Sequence, residues 1–119
     1  MYTLYWYPRC GTCKKAKKWL DGHDVKFELV DMIKEVPSAQ QLEKWIEESQ
    51  LPIRRFFNTS GQKYRALGLK NQVDGFTLKE ACQLLTTDGM LIKRPILVKE
   101  DHFIAIGFKE NIYEGVFKK

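Results

Sequence analysis

The chain has 119 residues, 44% of them hydrophobic and 29% charged, with three cysteines and a formal net charge of +5. That length fits one domain with a core large enough to fold without metals or disulfides, and the apolar content excludes a disordered chain. No apolar run approaches the ~20 residues that cross a bilayer, and Met1-Tyr2-Thr3-Leu4 enters a strand pattern with neither a basic start nor an A-x-A site, so neither a membrane span nor a secretory signal is expected.

The first seven residues, MYTLYWY, are β-branched and aromatic, stop at Pro8, and predict a buried strand. Thr12–Leu20 carries Ala16, Trp19 and Leu20 at helical spacing, with lysines on the other face and Gly22 as the stop. Lys26–Asp31 alternates, placing Phe27 and Leu29 on one face of a second strand. This β-α-β opening normally sets two parallel strands side by side.

The middle of the chain reads as helical. Ser38 with Gln41 is a capping-box pattern ahead of the stripe Leu42, Trp45, Ile46. Pro52 opens a short helix through Phe57, and Gln62–Leu67 forms another that Gly68 stops. Thr77 with Glu80 is a second capping box, followed by Ala81, Leu84 and Leu85, and Asp88-Gly89 ends that helix. Pro95–Lys99 and His102–Gly107 form a hairpin through Glu100-Asp101, and Asn111–Phe117 closes the chain as a helix. The order predicts an α/β fold, thioredoxin-like (glutaredoxin-like): a four-stranded mixed sheet flanked by helices. Residues 1–119 form a single domain in this reading, with a helical insertion at about 38–90.

Cys10-Gly11-Thr12-Cys13 lies between the first strand and the first helix. A thiol at a helix N-terminus meets unpaired N–H groups and the positive end of the dipole, which favour the thiolate. Arg9, Lys14, Lys15, Lys17 and Lys18 are expected to push the same way. Cys10, the outer thiol, is the expected nucleophile, and Cys13 the resolving partner in a redox disulfide. A lone C-x-x-C can be half of a zinc site, but no second pair exists, and His23 and His102 read as surface residues. Neither metal nor cofactor is expected. Cys82, on a helix among apolar neighbours, reads as an inert core thiol. A thiol-rich site without an export signal suits a reducing cytoplasm.

Taken together, YWYPRCGTCKKAKKWL, FFNTSGQKYRALGL and DGMLIKRPIL resemble the arsenate reductase family coupled to glutaredoxin and its Spx/MgsR branch, above all arsenate reductase-like proteins with a C-x-x-C site. The resemblance covers essentially the whole chain in order. It implies that Cys10 is catalytic, that Pro95 is a cis-proline facing the cysteine loop, and that Arg94 lies beside the thiolate, where its guanidinium stabilises it or grips an oxyanion. Arsenate reductases have two further anion-binding arginines, whose nearest positions here are Asn58 and Gly107. The resemblance therefore implies weak or no arsenate reduction unless Arg54, Arg55 or Lys109 compensates.

The implied activity is a thiol–disulfide exchange reset by thioredoxin, glutaredoxin or a small thiol, in a monomer. The alternatives are a redox-switched regulator that binds the RNA polymerase alpha subunit and an inert adaptor with a vestigial site. Positions that Spx look-alikes use on polymerase, a glycine and an arginine, read here as Pro52 and Ser60, which lowers the second alternative. The basic residues alternate with acids and lack a series of stacking aromatics, so no specific nucleic acid is expected.

Overall fold

The computed structural model describes residues 1–118. Strand β1 (Tyr2–Trp6) leads through α1 (Gly11–Gly22) to β2 (Phe27–Asp31). Helices α2 (Ala39–Ser49), α3 (Gln62–Ala66) and α4 (Leu78–Leu85) follow, interspersed with single 3-10 turns at Ile53–Phe56, Leu69–Asn71, Val73–Gly75 and Gly89–Leu91. The chain then returns to the sheet as β3 (Ile96–Lys99) and β4 (His102–Ile106), and ends in α5 (Glu110–Phe117). The strand order is β2-β1-β3-β4, with β1 and β2 parallel and the other two pairs antiparallel. This is the mixed, helix-flanked sheet of the thioredoxin-like fold.

Strand alternation divides the core into two layers. Leu4 and Leu97 point to one face and pack with Ala16, Trp19 and Leu20 of α1 and Tyr113 of α5. Ile96 and Val98 point to the other, against Leu42, Trp45 and Ile46 of α2 and Ala81, Cys82 and Leu85 of α4. β3 is thus buried on both sides, which is why its sequence is a continuous apolar run.

The hairpin between β3 and β4 turns on Glu100 and Asp101, both at positive φ (52° and 65°), the pairing a two-residue I′ turn requires. The Asp101 carbonyl accepts a hydrogen bond from Trp45 Nε1 at 2.9 Å, and Glu48 accepts one from the Phe103 N–H at 2.9 Å. These contacts fasten α2 across the start of β4. The α2 capping box is complete, with Ser38 and Gln41 exchanging bonds of 3.1 Å each way. Ser38→Ala should cost about 1 kcal/mol, read as a lower urea midpoint with an unchanged slope.

Some expectations are corrected. Leu29 is 39% exposed, not paired with Phe27 on a buried face, because β2 is an edge strand and only its Phe27 end reaches a core cluster. The fully buried stripe of α4 is Ala81, Cys82 and Leu85, with Leu84 only half-buried. That helix ends at Leu85, and Asp88 instead caps the next 3-10 turn by accepting from the Met90 N–H. Gly22 lies within α1; the chain reverses beyond it, at His23 and Asp24 (φ 57°). The segment after Pro52 is a single 3-10 turn, Ile53–Phe56.

Candidate active site

The site is built where β1 runs out. The Cys10 N–H donates to the Tyr7 carbonyl at 2.9 Å, closing the turn that delivers Cys10 to the N-cap of α1. There the Cys10 sulfur does what a serine oxygen does at other caps: it accepts from the Cys13 N–H, at 3.4 Å. Cys10 is half-buried, whereas Cys13 is fully buried one turn into the helix. All three cysteines are free thiols.

The two thiols of the pair are driven in opposite directions. Burial alone would raise the Cys10 pKa, but it is outweighed by hydrogen bonds from the Cys13 thiol and backbone and by the charge of Arg94, so Cys10 lies below the ordinary thiol value. Burial, together with the hydrogen bond it gives to Cys10, pushes Cys13 up to about 12. Arg9 and the lysines of α1 are not among the causes of the Cys10 shift. They point to solvent, with Lys17 paired to Asp21 at 2.8 Å. The expectation that they set the thiolate is replaced by two closer partners, Cys13 and Arg94.

Arg94 comes from the loop before β3, and the Arg94–Pro95 peptide is cis. Its guanidinium carbon lies 5.3 Å from the centroid of the Tyr7 ring, a cation–π contact. Its Nε and Nη1 are buried and find no hydrogen-bond partner among the described residues. A buried guanidinium with unpaired N–H groups is costly unless an acceptor reaches it.

Cys10 and Arg94 open into a cleft of about 760 Å³. Arg55, Lys93 and Lys109 also line it, as do Asn58 and Ser60, and among the described residues no carboxylate does. Arg54 is elsewhere: it grips Asp74 through Nε and Nη2 and donates to the Tyr64 hydroxyl and the Lys70 carbonyl. Of the three cations expected to compensate, Arg55 and Lys109 therefore share the cleft and Arg54 does not. Lys93 and Tyr7 were not legible as site residues, although Lys93 adjoins Arg94 in sequence and Tyr7 lies three residues before Cys10. Tyr113 was also missed; it is fully buried, lines the cleft, and burial raises its pKa, so it stays a phenol. Pro52, by contrast, is the exposed cap of its 3-10 turn and lies outside the cleft.

His102 pairs with Glu48 at 2.6 Å and His23 stacks on Trp19, with ring centroids 3.8 Å apart. Among the described residues no three His, Cys, Asp or Glu side chains gather as metal ligands, and no helix is long and apolar enough to cross a membrane. Cys82, pushed up to about 12 by burial with Glu43 and Glu47 nearby, is fully buried in the second layer.

This division predicts alkylation behaviour. Iodoacetamide should label Cys10 with a pH midpoint below that of a free thiol and leave Cys82 untouched until the protein unfolds. Cys13→Ala, which removes the thiol hydrogen bond to Cys10, should move that midpoint up, and Cys13→Ser, which keeps a donor, should move it less. Peptide mapping by mass spectrometry reads each site separately.

The ArsC family profile matches residues 5–116. The uncharacterized protein YusI of Bacillus subtilis is 46% identical over 112 residues, 94% of each chain. The regulatory protein MgsR of the same species is 30% identical over 117 residues, covering 98% of this chain and 90% of its own. A crystal structure described as a possible arsenate reductase from Streptococcus mutans superposes with a TM-score of 0.88 at 49% identity, over 92% of each chain. The profile spans nearly the whole chain, and both relatives and fold agree with it: this protein belongs to the ArsC family.

Proposed function

We propose that the protein is a thiol–disulfide oxidoreductase in which Cys10 is the nucleophile and Cys13 the resolving thiol. The observation that carries this reading is the division of the pair: one thiol is held down in pKa at a helix N-cap, the other is buried and held up to about 12. Two coupled groups whose environments push them apart have different roles. The Cys10 thiolate attacks one sulfur of a substrate disulfide, forming a mixed disulfide and releasing the other sulfur as a thiolate that takes a proton. Cys13 then gives up its proton and attacks Cys10 Sγ. The products are the second substrate thiol and a Cys10–Cys13 disulfide, so the substrate gains the two electrons that the pair loses.

Loss of charge at Cys10 on mixed-disulfide formation removes the thiolate that Cys13 faces, which is the moment when Cys13 can ionise. Thioredoxin, glutaredoxin or a small thiol resets the pair by the reverse exchange. In this reading the chain works as a single domain in the cytoplasm, with residues 38–90 as a helical insertion, and Arg94 steadies the thiolate and an approaching anion. Arsenate is a poor substrate because neither Asn58 nor Gly107 supplies an arginine.

A second reading has one specific support, the 30% identity to a regulatory protein over nearly the full chain. In it the same disulfide switches binding to a partner such as the RNA polymerase alpha subunit, with Pro52 and Ser60 counting against that partner. Steady turnover of a disulfide, with thioredoxin or glutaredoxin as the coupled reductant, distinguishes the two. Turnover supports the enzyme; oxidation once without turnover, together with oxidation-dependent capture of the alpha subunit, supports the switch.

A further inference from the structure

Resting on the dithiol reading, we propose that the substrate is an acidic peptide segment carrying a disulfide, bound in extended form along the free edge of β4. Three features of the cleft lead there. First, at about 760 Å³ it is in the range that holds molecules of drug or short-peptide size, far larger than a four-oxygen anion needs. Second, its charge is of one sign: Arg55, Lys93, Arg94 and Lys109 line it without a carboxylate, and none of the four takes part in an ion pair among the described residues. A cleft of this kind concentrates anions and steers them to Cys10.

The third feature is geometric. Residues 103–107 all line the cleft. A register shift against β3 at Leu97/Val98 breaks the strict alternation of β4. Phe103 and Ile106 pack on one core layer and Ile104 and Ala105 on the other, so residues from both faces of β4 reach the cleft and the edge between them borders it. β4 is the last strand of the sheet, with β3 on one side only. Its outer backbone groups are a template for an added strand, which supplies affinity through main-chain hydrogen bonds and specificity through side chains. Glu48, which takes the Phe103 N–H, closes one end of that edge. The other end runs through Gly107 toward the loop that holds Arg94 and Pro95, because the Gly107 N–H donates to the Pro95 carbonyl at 2.8 Å. An extended peptide following the edge is thereby led to Cys10.

The reaction is the one already written, with the peptide as the disulfide: Cys10 attacks the peptide's disulfide, the departing thiolate is protonated, and Cys13 releases the peptide thiol. The test uses the reduced wild-type protein and short synthetic peptides, each joined by one disulfide to the same neutral thiol, 2-mercaptoethanol. One peptide has glutamates around its cysteine, one has lysines, and one is the glutamate peptide with alternate backbone N-methylation. Quenched samples are read by mass spectrometry for the Cys10–Cys13 disulfide.

The glutamate peptide should oxidise the pair roughly tenfold or more faster than the lysine peptide at low ionic strength, within the range that charge steering supplies. The gap should close at about 0.5 M salt, where charges are screened beyond about a few ångströms. N-methylation should slow the glutamate peptide, and K93E/K109E should reverse its preference over the lysine peptide. Equal rates for the two peptides at low salt, or no effect of N-methylation, would overturn the proposal. So would glutathione disulfide matching the glutamate peptide, since the cleft would then be selecting a small anion. If bis(2-hydroxyethyl) disulfide also fails to oxidise the pair, it is the dithiol chemistry itself that fails.

Discussion

Arsenate should be reduced roughly two to four decades less efficiently, in kcat/KM, than by a site that offers the oxyanion three arginines. A thiolate attacking arsenate brings negative charge against negative charge, and each charge-assisted hydrogen bond to the anion contributes about 1.5–3 kcal/mol. Two missing ligands amount to about 3–6 kcal/mol on that scale. The structure separates the two positions. Asn58 lines the cleft, half-buried, with its amide donating to the Met90 carbonyl at 3.4 Å; Asn58→Arg gives up that bond and places a guanidinium at the cleft wall, so it should recover roughly tenfold to a hundredfold in kcat/KM.

Gly107 cannot be repaired in the same way. It sits at φ 72°, a conformation that favours glycine, and a Cβ there would lie 3.2 Å from Lys93 Cε. Gly107→Arg should lose stability without gaining arsenate activity. Micromolar arsenate turned over efficiently by the unmodified protein would show that Arg94 with Arg55, Lys93 and Lys109 is sufficient, and would contradict this expectation.

Removing Arg94 should have the next largest effect. Its charge favours the Cys10 thiolate, and it lines the cleft into which Cys10 opens. Arg94→Met keeps much of the packing over Tyr7 but loses the charge. Exchange with a neutral disulfide at pH 7 should slow roughly tenfold to a hundredfold, the scale of a lost hydrogen bond to a charged group. The sign with pH follows from which form is favoured. In the wild type the thiolate is present above a depressed pKa and is lost as pH falls through it. In the variant that midpoint lies higher, so the deficit should shrink as pH rises and both proteins become fully ionised at Cys10. A deficit that stays constant across pH would assign Arg94 a role in binding alone.

How far the sequence disclosed this site depends on whether its parts are local. Cys10 and Cys13 form a short contiguous signature at an element junction, so residue type and position raise them as candidates, whereas Arg94 and Pro95 are candidates only through the family resemblance. The cleft between them is non-local. Arg54 and Arg55 are adjacent and equivalent in sequence, but in a 3-10 turn neighbouring side chains point about a third of a turn apart. Asp74, twenty residues on, decides that Arg54 is the one removed from the site. The causes of the Cys10 shift were legible only in part: the helix start and Arg94 are expected beside the thiolate, whereas Arg9 and the lysines, though close in sequence, face solvent. Leu29 shows the same limit in the fold, since periodicity marks a face but not whether anything covers it. The capping boxes at Ser38 and Thr77, wholly local, were legible to the residue.

The central claim is that Cys10 attacks and Cys13 resolves, and one trapping measurement addresses it directly. Reduced wild-type protein and Cys13→Ser are mixed with a small neutral disulfide, quenched in acid over time, and mapped by mass spectrometry. The wild type should accumulate an intramolecular Cys10–Cys13 bond with only a transient adduct, and Cys13→Ser should stop at a stable mixed disulfide on Cys10, with Cys82 unmodified in both. A first adduct on Cys13 or Cys82, or a wild-type adduct on Cys10 that persists unresolved, would contradict the account.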